Sequence, residues 1–111
     1  MSERPVNLLL DDILEAIDRA EQYIKGLSFD AFSRDRKTID AVARNLEIIG
    51  EAANRLPDEF KEKHSNIEWH KVVGLRHRIV HEYFGIDLAI IWQILQKDLP
   101  SLQQALSQIR S

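Results

Sequence analysis

Near the start of the chain the apolar residues Val6, Leu10, Ile13, Ile17, Ala20, Ile24 and Leu27 recur in alternating steps of four and three. That spacing keeps one face of an α-helix apolar for about six turns, whereas a strand, with its period of two, would scatter the same residues over both faces. Pro5 suits the opening of this helix and Gly26 its end. A second periodic stretch runs from about Lys37 to Leu56. Its apolar side comprises Ala41, Val42, Leu46, Ile48, Ile49, Ala52, Ala53 and Leu56. Gly50 and the alanines let a neighbouring helix come close. The opposite stripe, Asp40, Arg44, Glu47, Glu51 and Asn54 or Arg55, is polar and reads as a solvated or salt-bridged face. Asn45 falls among the apolar positions, so it is expected to be partly buried and in need of hydrogen-bond partners.

The remaining segments follow the same helical logic. The charged linker Ser28 to Arg36 has room for one helical turn. Pro57, followed by Asp58 and Glu59, opens a short helix whose acids favour its amino-terminal dipole. Ser65-Asn66-Ile67-Glu68 has capping-box spacing, which predicts the start of the next helix there. Trp69, Val72, Val73, Leu75 and Ile79 are its packing residues. Asp87 can cap a last helix whose apolar positions, Leu88, Ile91, Leu95, Leu99, Leu102, Leu106 and Ile109, hold their period past Pro100. That predicts one kinked helix or two abutting ones. With no strand pattern and no internal repeat, the expectation is an all-α bundle of four to five helices, one domain over residues 1–111.

Composition narrows the setting. In 111 residues, 44% hydrophobic and 30% charged, there is enough apolar material for a real core. The absence of cysteine removes disulfides and thiolate metal sites and fits a reducing cytoplasm. The longest purely apolar run, Leu88 to Trp92, is far too short to span a bilayer. Met1-Ser2-Glu3-Arg4-Pro5 lacks the basic start and apolar run of a secretory signal. A net charge of −3 argues against a nucleic-acid coat held by overall charge, and leaves room for a local basic site.

Such a site is visible at Arg76-His77-Arg78-Ile79-Val80-His81-Glu82-Tyr83. Imidazole exchanges protons near neutral pH, and guanidinium grips a phosphate through two parallel hydrogen bonds. Both are useful for chemistry on a phosphodiester. Arg76 and Tyr83 are seven residues apart and lie within about 20° of each other on a helix, whereas His81 is rotated by roughly 140° from Arg76. A straight helix of one chain would therefore not bring Arg76 and His81 to one small group. Either the helix unwinds near His81, as Gly85 permits, or two chains share a cleft, and the second is favoured. His77 and His81, with His64 and His70, are weak candidates for a metal site, and none is expected. Glycine-rich phosphate loops and a serine elbow are absent. On the residues alone, a solvated basic helix end is as good a reading as a functional site.

The segment Leu75-Arg76-His77-Arg78-Ile79-Val80-His81-Glu82-Tyr83-Phe84-Gly85-Ile86-Asp87 resembles the signature of the HEPN superfamily in its HepT-like toxin branch: arginine, a polar residue, three further positions, histidine, any residue, tyrosine. Arg44 to Ala53 is similar to that family's second-helix block, and Trp92 with Lys97-Asp98-Leu99-Pro100 to its last helix. The three blocks occur in order and cover most of the chain. His77 stands where asparagine is common, and Glu82 where glycine is common. The latter adds negative charge beside the pocket.

The resemblance implies a dimeric helical bundle acting as a metal-independent endoribonuclease without a cofactor. It implies a partner too, a small MNT-type nucleotidyltransferase antitoxin that silences the toxin by transferring AMP to Tyr83. Arg76 and His81 then become the catalytic pair, with Tyr83, His77 and Arg78 at the modification and substrate-binding surface. Asn45 and Glu51 are weaker candidates for orienting Arg76. The alternative is a non-catalytic RNA- or nucleotide-binding module, or a regulatory subunit of a nucleotidyltransferase.

Overall fold

The structure is a computed structural model that describes residues 4–81 and 87–110, without the side chains of 78–81. Among the described residues every regular element is helical. They are α1 (Val6–Ile24), α2 (Phe29–Ser33), α3 (Arg36–Arg55), α4 (Asp58–Lys63), α5 (Trp69–His81), α6 (Leu88–Gln93) and α7 (Leu99–Arg110), with a π-helical turn, Ile94–Asp98, joining the last two. The all-α expectation holds.

Helix α3 is the centre of the bundle, packed on α1 along one side and on α5 along another, while α7 lies against α1. The seam read from the sequence is the buried face of α1: Leu10, Ile13, Ile17, Ala20 and Ile24 are buried, joined by Leu9 and Ala16. Opposite it, α3 buries Ile39, Val42, Leu46, Ile49, Ala52 and Ala53. Each fully buried Leu or Ile contributes roughly 1.5–3 kcal/mol, so this double row is the main source of stability. Gly26 takes φ +80°, the left-handed turn conformation that ends the first helix. Ser28 caps α2 through Ala31 N–H, and Phe32 of that short helix is fully buried, meeting Trp92 at 5.2 Å between ring centroids.

Two local readings change. The motif helix begins at Trp69, not after Ser65: residues 64–66 form a turn, and the Glu68 carbonyl accepts the first helical bonds, from Lys71 and Val72. The Trp69 indole N–H donates to the His64 carbonyl at 3.0 Å and ties that turn down. At the other end, the helical period does run past Pro100, but through a π turn rather than a kink alone. Leu99 N–H donates to the Ile94 carbonyl, five residues back. Pro100 has no N–H and its ring crowds the preceding turn, and a wider turn just before it relieves both problems. Asp87 caps α6 through Ala89 N–H, as expected.

Asn45 is 4% exposed, the single buried polar residue among those described. Its Oδ1 accepts from Arg19 Nε at 3.0 Å, and its Nδ2 donates to the Ala41 carbonyl at 2.9 Å. It therefore bridges α1 and α3. Asn45→Ala is expected to destabilise the fold by roughly 1–3 kcal/mol, because Arg19 Nε loses its acceptor in a half-buried setting. Urea denaturation measures this, and an unchanged midpoint would remove Asn45 from the stabilising contacts.

Asp35 caps α3, accepting from the Thr38 hydroxyl at 2.7 Å and the Thr38 N–H at 3.1 Å. The hydroxyl bond first, then the backbone bonds, hold its carboxyl below the ordinary aspartate value. A carboxylate lowered in the folded state stabilises it above the ordinary value, and that contribution is lost as pH falls through the lowered one. Asp35→Ala should lower Tm at neutral pH, and the gap to the parent should close on acidification. A gap independent of pH would contradict this cap.

Candidate functional site

Helices α3 and α5 touch most closely at Gly50. A Cβ built on Gly50 would lie 2.5 Å from Arg76 N, 2.7 Å from Arg76 Cβ and 2.8 Å from the Val73 carbonyl oxygen. Only glycine permits this crossing, because two of the three atoms belong to backbone that cannot step aside. The residue pressed against Gly50 is Arg76 itself, so the contact sets the root of the motif arginine.

From that root the Arg76 side chain, 24% exposed, reaches a cleft of about 520 Å³. One wall is the polar stripe of α3 (Arg44, Glu47, Glu51 and Arg55, with Ile48 and Ala52), another is Leu9 and Asp12 of α1, and the third is Arg76 and His77 of α5. Arg76 NH1 lies 3.4 Å from one Glu51 carboxylate oxygen and 3.5 Å from the other. These are long for a charge-assisted bond, whose usual range is about 2.7–2.9 Å. Arg76 Nε is buried and has no hydrogen-bond partner among the described residues. The guanidinium is thus fixed at its base by packing and only loosely held at its tip. An anionic oxygen entering the cleft can take the tip at little cost, since so long and exposed a pair contributes roughly 0–1 kcal/mol.

The other carboxylates of the cleft are engaged as well. Asp12 accepts both Nε and NH2 of Arg4, at 2.7 and 2.9 Å, and Glu47 takes Arg44 NH1 at 2.8 Å. The sequence-predicted residues therefore divide. Arg76, His77 and Glu51 meet in the cleft, while Asn45 makes its bonds to Arg19 and Ala41 instead. Arg78 and His81 lie in the last turn of α5, with side chains outside the described residues, and Tyr83 and Glu82 lie outside them altogether. The unwinding considered near Gly85 falls there too. His64 stacks near Phe60, at 4.6 Å between ring centroids, and His70 faces a different groove. Among the described residues no three His, Asp or Glu side chains gather as metal ligands would. Nor is any helix of the described residues long and apolar enough to cross a membrane.

Three wall residues had no site role in the sequence reading: Arg44, Arg55 and Asp12. Their polar stripe was legible, but its neighbour was not, because only the Gly50 crossing reveals which face α5 borders.

The arginine-centred cleft stands beside the comparisons with known proteins. The family model described as "Ribonuclease HepT-like" matches residues 13–109. The chain belongs to the HepT-like family. A protein of Caldanaerobacter subterraneus subsp. tengcongensis, provisionally named an RNase, is 41% identical over 90% of this chain and 89% of its own length. The "Probable ribonuclease HepT" of Thermococcus cleftensis is 40% identical over 91% of this chain and 92% of its own. A Methanocaldococcus jannaschii protein, also provisionally named an RNase, is 38% identical over 94% and 95%. No solved structure matches the chain.

Gly50→Ala is expected to cost about 3 kcal/mol, at the upper end of overpacking penalties, because backbone must move. Gly74→Ala, where nothing lies within 4 Å, should cost nothing. Comparing denaturation of the two variants checks the crossing, and equal stability would refute it.

Proposed function

We propose that this HepT-like chain is the toxin of a toxin–antitoxin pair and an endoribonuclease that needs no metal. Arg76 carries the reading: a guanidinium rooted by helix packing, loosely paired at its tip, in an open cleft of a family named for ribonuclease activity. RNA supplies its own nucleophile. The 2′-oxygen attacks phosphorus while His81, as general base, takes its proton; the P–O5′ bond breaks, and a general acid returns a proton to O5′. Arg76 stabilises the charge that builds on the pentacovalent phosphorus. The products end in a 2′,3′-cyclic phosphate and a 5′-hydroxyl. Glu51 keeps Arg76 aimed into the cleft before substrate arrives. His77 and Arg78 contribute to substrate binding.

Helical register favours a site shared by two chains. Position 81 falls on the stripe of Gly74, seven residues earlier and within about 20°. Gly74 lines a second groove, of about 850 Å³, on another side of α5, with Val72, Leu75, Ile90, Ile94 and Leu102. Arg76 faces the first cleft, so a second copy seated along the groove is the simplest route to joining an arginine of one chain with a histidine of the other.

An MNT-type nucleotidyltransferase antitoxin completes the proposal, by transferring AMP to Tyr83. The added bulk and negative charge would exclude RNA by sterics and repulsion.

Expression without a partner should arrest growth, and Arg76→Ala or His81→Ala should relieve it and abolish cleavage, with EDTA having no effect on the parent. Mutants as nucleolytic as the parent would overturn the catalytic assignment. Mixing Arg76→Ala with His81→Ala protein should restore part of the activity if the site is shared, and none if each chain works alone. Gly74→Arg should give a folded monomer without cleavage. Intact mass after co-expression reads the tyrosine step, and an unchanged mass counts against it. Protein that binds RNA yet leaves no cyclic-phosphate ends would favour the non-catalytic binding module.

A further inference from the structure

Residues Arg44, Ile48, Glu51 and Arg55 follow one another on α3 in steps of four, three and four, and all four line the Arg76 cleft. They form one stripe along the cleft wall. Arg76 joins that stripe at Glu51. Arg55 lies about 6 Å further along the helix axis, one turn on, and Arg44 about 10 Å in the other direction. One turn is comparable to the step between neighbouring phosphates of an extended single strand.

The two flanking arginines are not equivalent. Arg44 is bound to Glu47 at 2.8 Å, so its charge is already matched. Asp12 is taken by Arg4, and Glu51 by Arg76. Arg55 is exposed and makes no ion pair among the described residues. The carboxyl-terminal end of α3 favours a cation whatever it binds. Arg55, however, also lines the cleft, and every carboxylate of that lining is engaged elsewhere. The excess positive charge of the cleft therefore sits at one end of the stripe.

We infer that Arg55 is a phosphate-binding residue one step from the scissile position, so that single-stranded RNA runs along α3 from Arg76 toward the carboxyl end of that helix. The inference deepens the ribonuclease reading and rests on it for the choice of RNA. It makes the site directional: nucleotides on the Arg55 side of the cleaved bond contribute to binding, and those on the Arg44 side do so far less. Arg55 is a positioning residue for substrate and takes no part in bond breaking.

The test uses the full chain and a short 2′-O-methyl oligonucleotide, which has no free 2′-hydroxyl and so cannot be cleaved, beside a 2′-O-methyl dinucleoside monophosphate. Dissociation constants are measured over a series of salt concentrations. Arg55→Ala should weaken oligonucleotide binding several-fold at low salt and reduce the slope of log Kd against log salt by roughly 0.7, the value for one lost single-strand phosphate contact. Binding of the dinucleoside should not change, Arg55→Lys should keep the slope, and Arg44→Ala should leave it unaltered. The inference is overturned by an unchanged slope in Arg55→Ala, by an equal loss in Arg44→Ala, or by a parent that shows no salt-dependent binding. Cleavage of unmodified RNA by the parent is scored separately. A parent that binds with the Arg55 dependence but does not cut would sink the nuclease reading and keep the phosphate track.

Discussion

The contact between Gly50 of α3 and the backbone of α5 at Val73 and Arg76 is the constraint on which the site depends. Glycine in the interior of a helix costs about 1 kcal/mol relative to alanine. Here it lets two helix backbones meet with no side chain between them. Because Arg76 is itself part of the contact, the packing that holds α3 to α5 also fixes where the guanidinium starts. A wider crossing would leave the same residues in the same order and move the charge away from Glu51.

Local charge decides what the cleft can hold, since the chain as a whole is acidic. The pairs around the cleft differ in tightness: Asp12 is gripped by two nitrogens of Arg4, whereas Glu51 stands off from Arg76 at 3.4 Å. Short bidentate pairs resist displacement, and long exposed ones yield to a stronger anion. The same chemistry, a carboxylate beside an arginine, thus serves as a brace in one place and a holding contact in the other. Family membership gives this arrangement a ribonuclease setting, and the anchored arginine gives that setting a physical basis.

Helix identities were legible because burying a helix imposes a period of 3.6 on its apolar residues, and α1 and α3 carry that period for most of their length. The buried Asn45 was legible for the same reason, as a polar residue in an apolar stripe. Its partner Arg19 was not, because the pair joins residues 26 positions apart. The Ser65 reading failed where a spacing rule met a tertiary contact: the Trp69 indole bonded to the His64 carbonyl makes residues 64–66 a turn and delays the helix to Trp69. Past Pro100 the apolar period could show that helix continued. It could not show a π turn, which keeps nearly the same face while changing the backbone bonds.

By itself the sequence determined the helical class, the faces that must be buried, and the segment where proton-transfer and phosphate-binding groups are gathered. These follow from local periodicity and side-chain chemistry, which need no knowledge of neighbours. Only the tertiary structure decided that the polar stripe of α3 is the wall of a cleft, that Glu51 rather than Asn45 meets Arg76, and that Arg55 stands at its unmatched end. Those outcomes depend on which faces of two helices cross, and at what distance. At Gly50 that distance is set by the absence of a single Cβ.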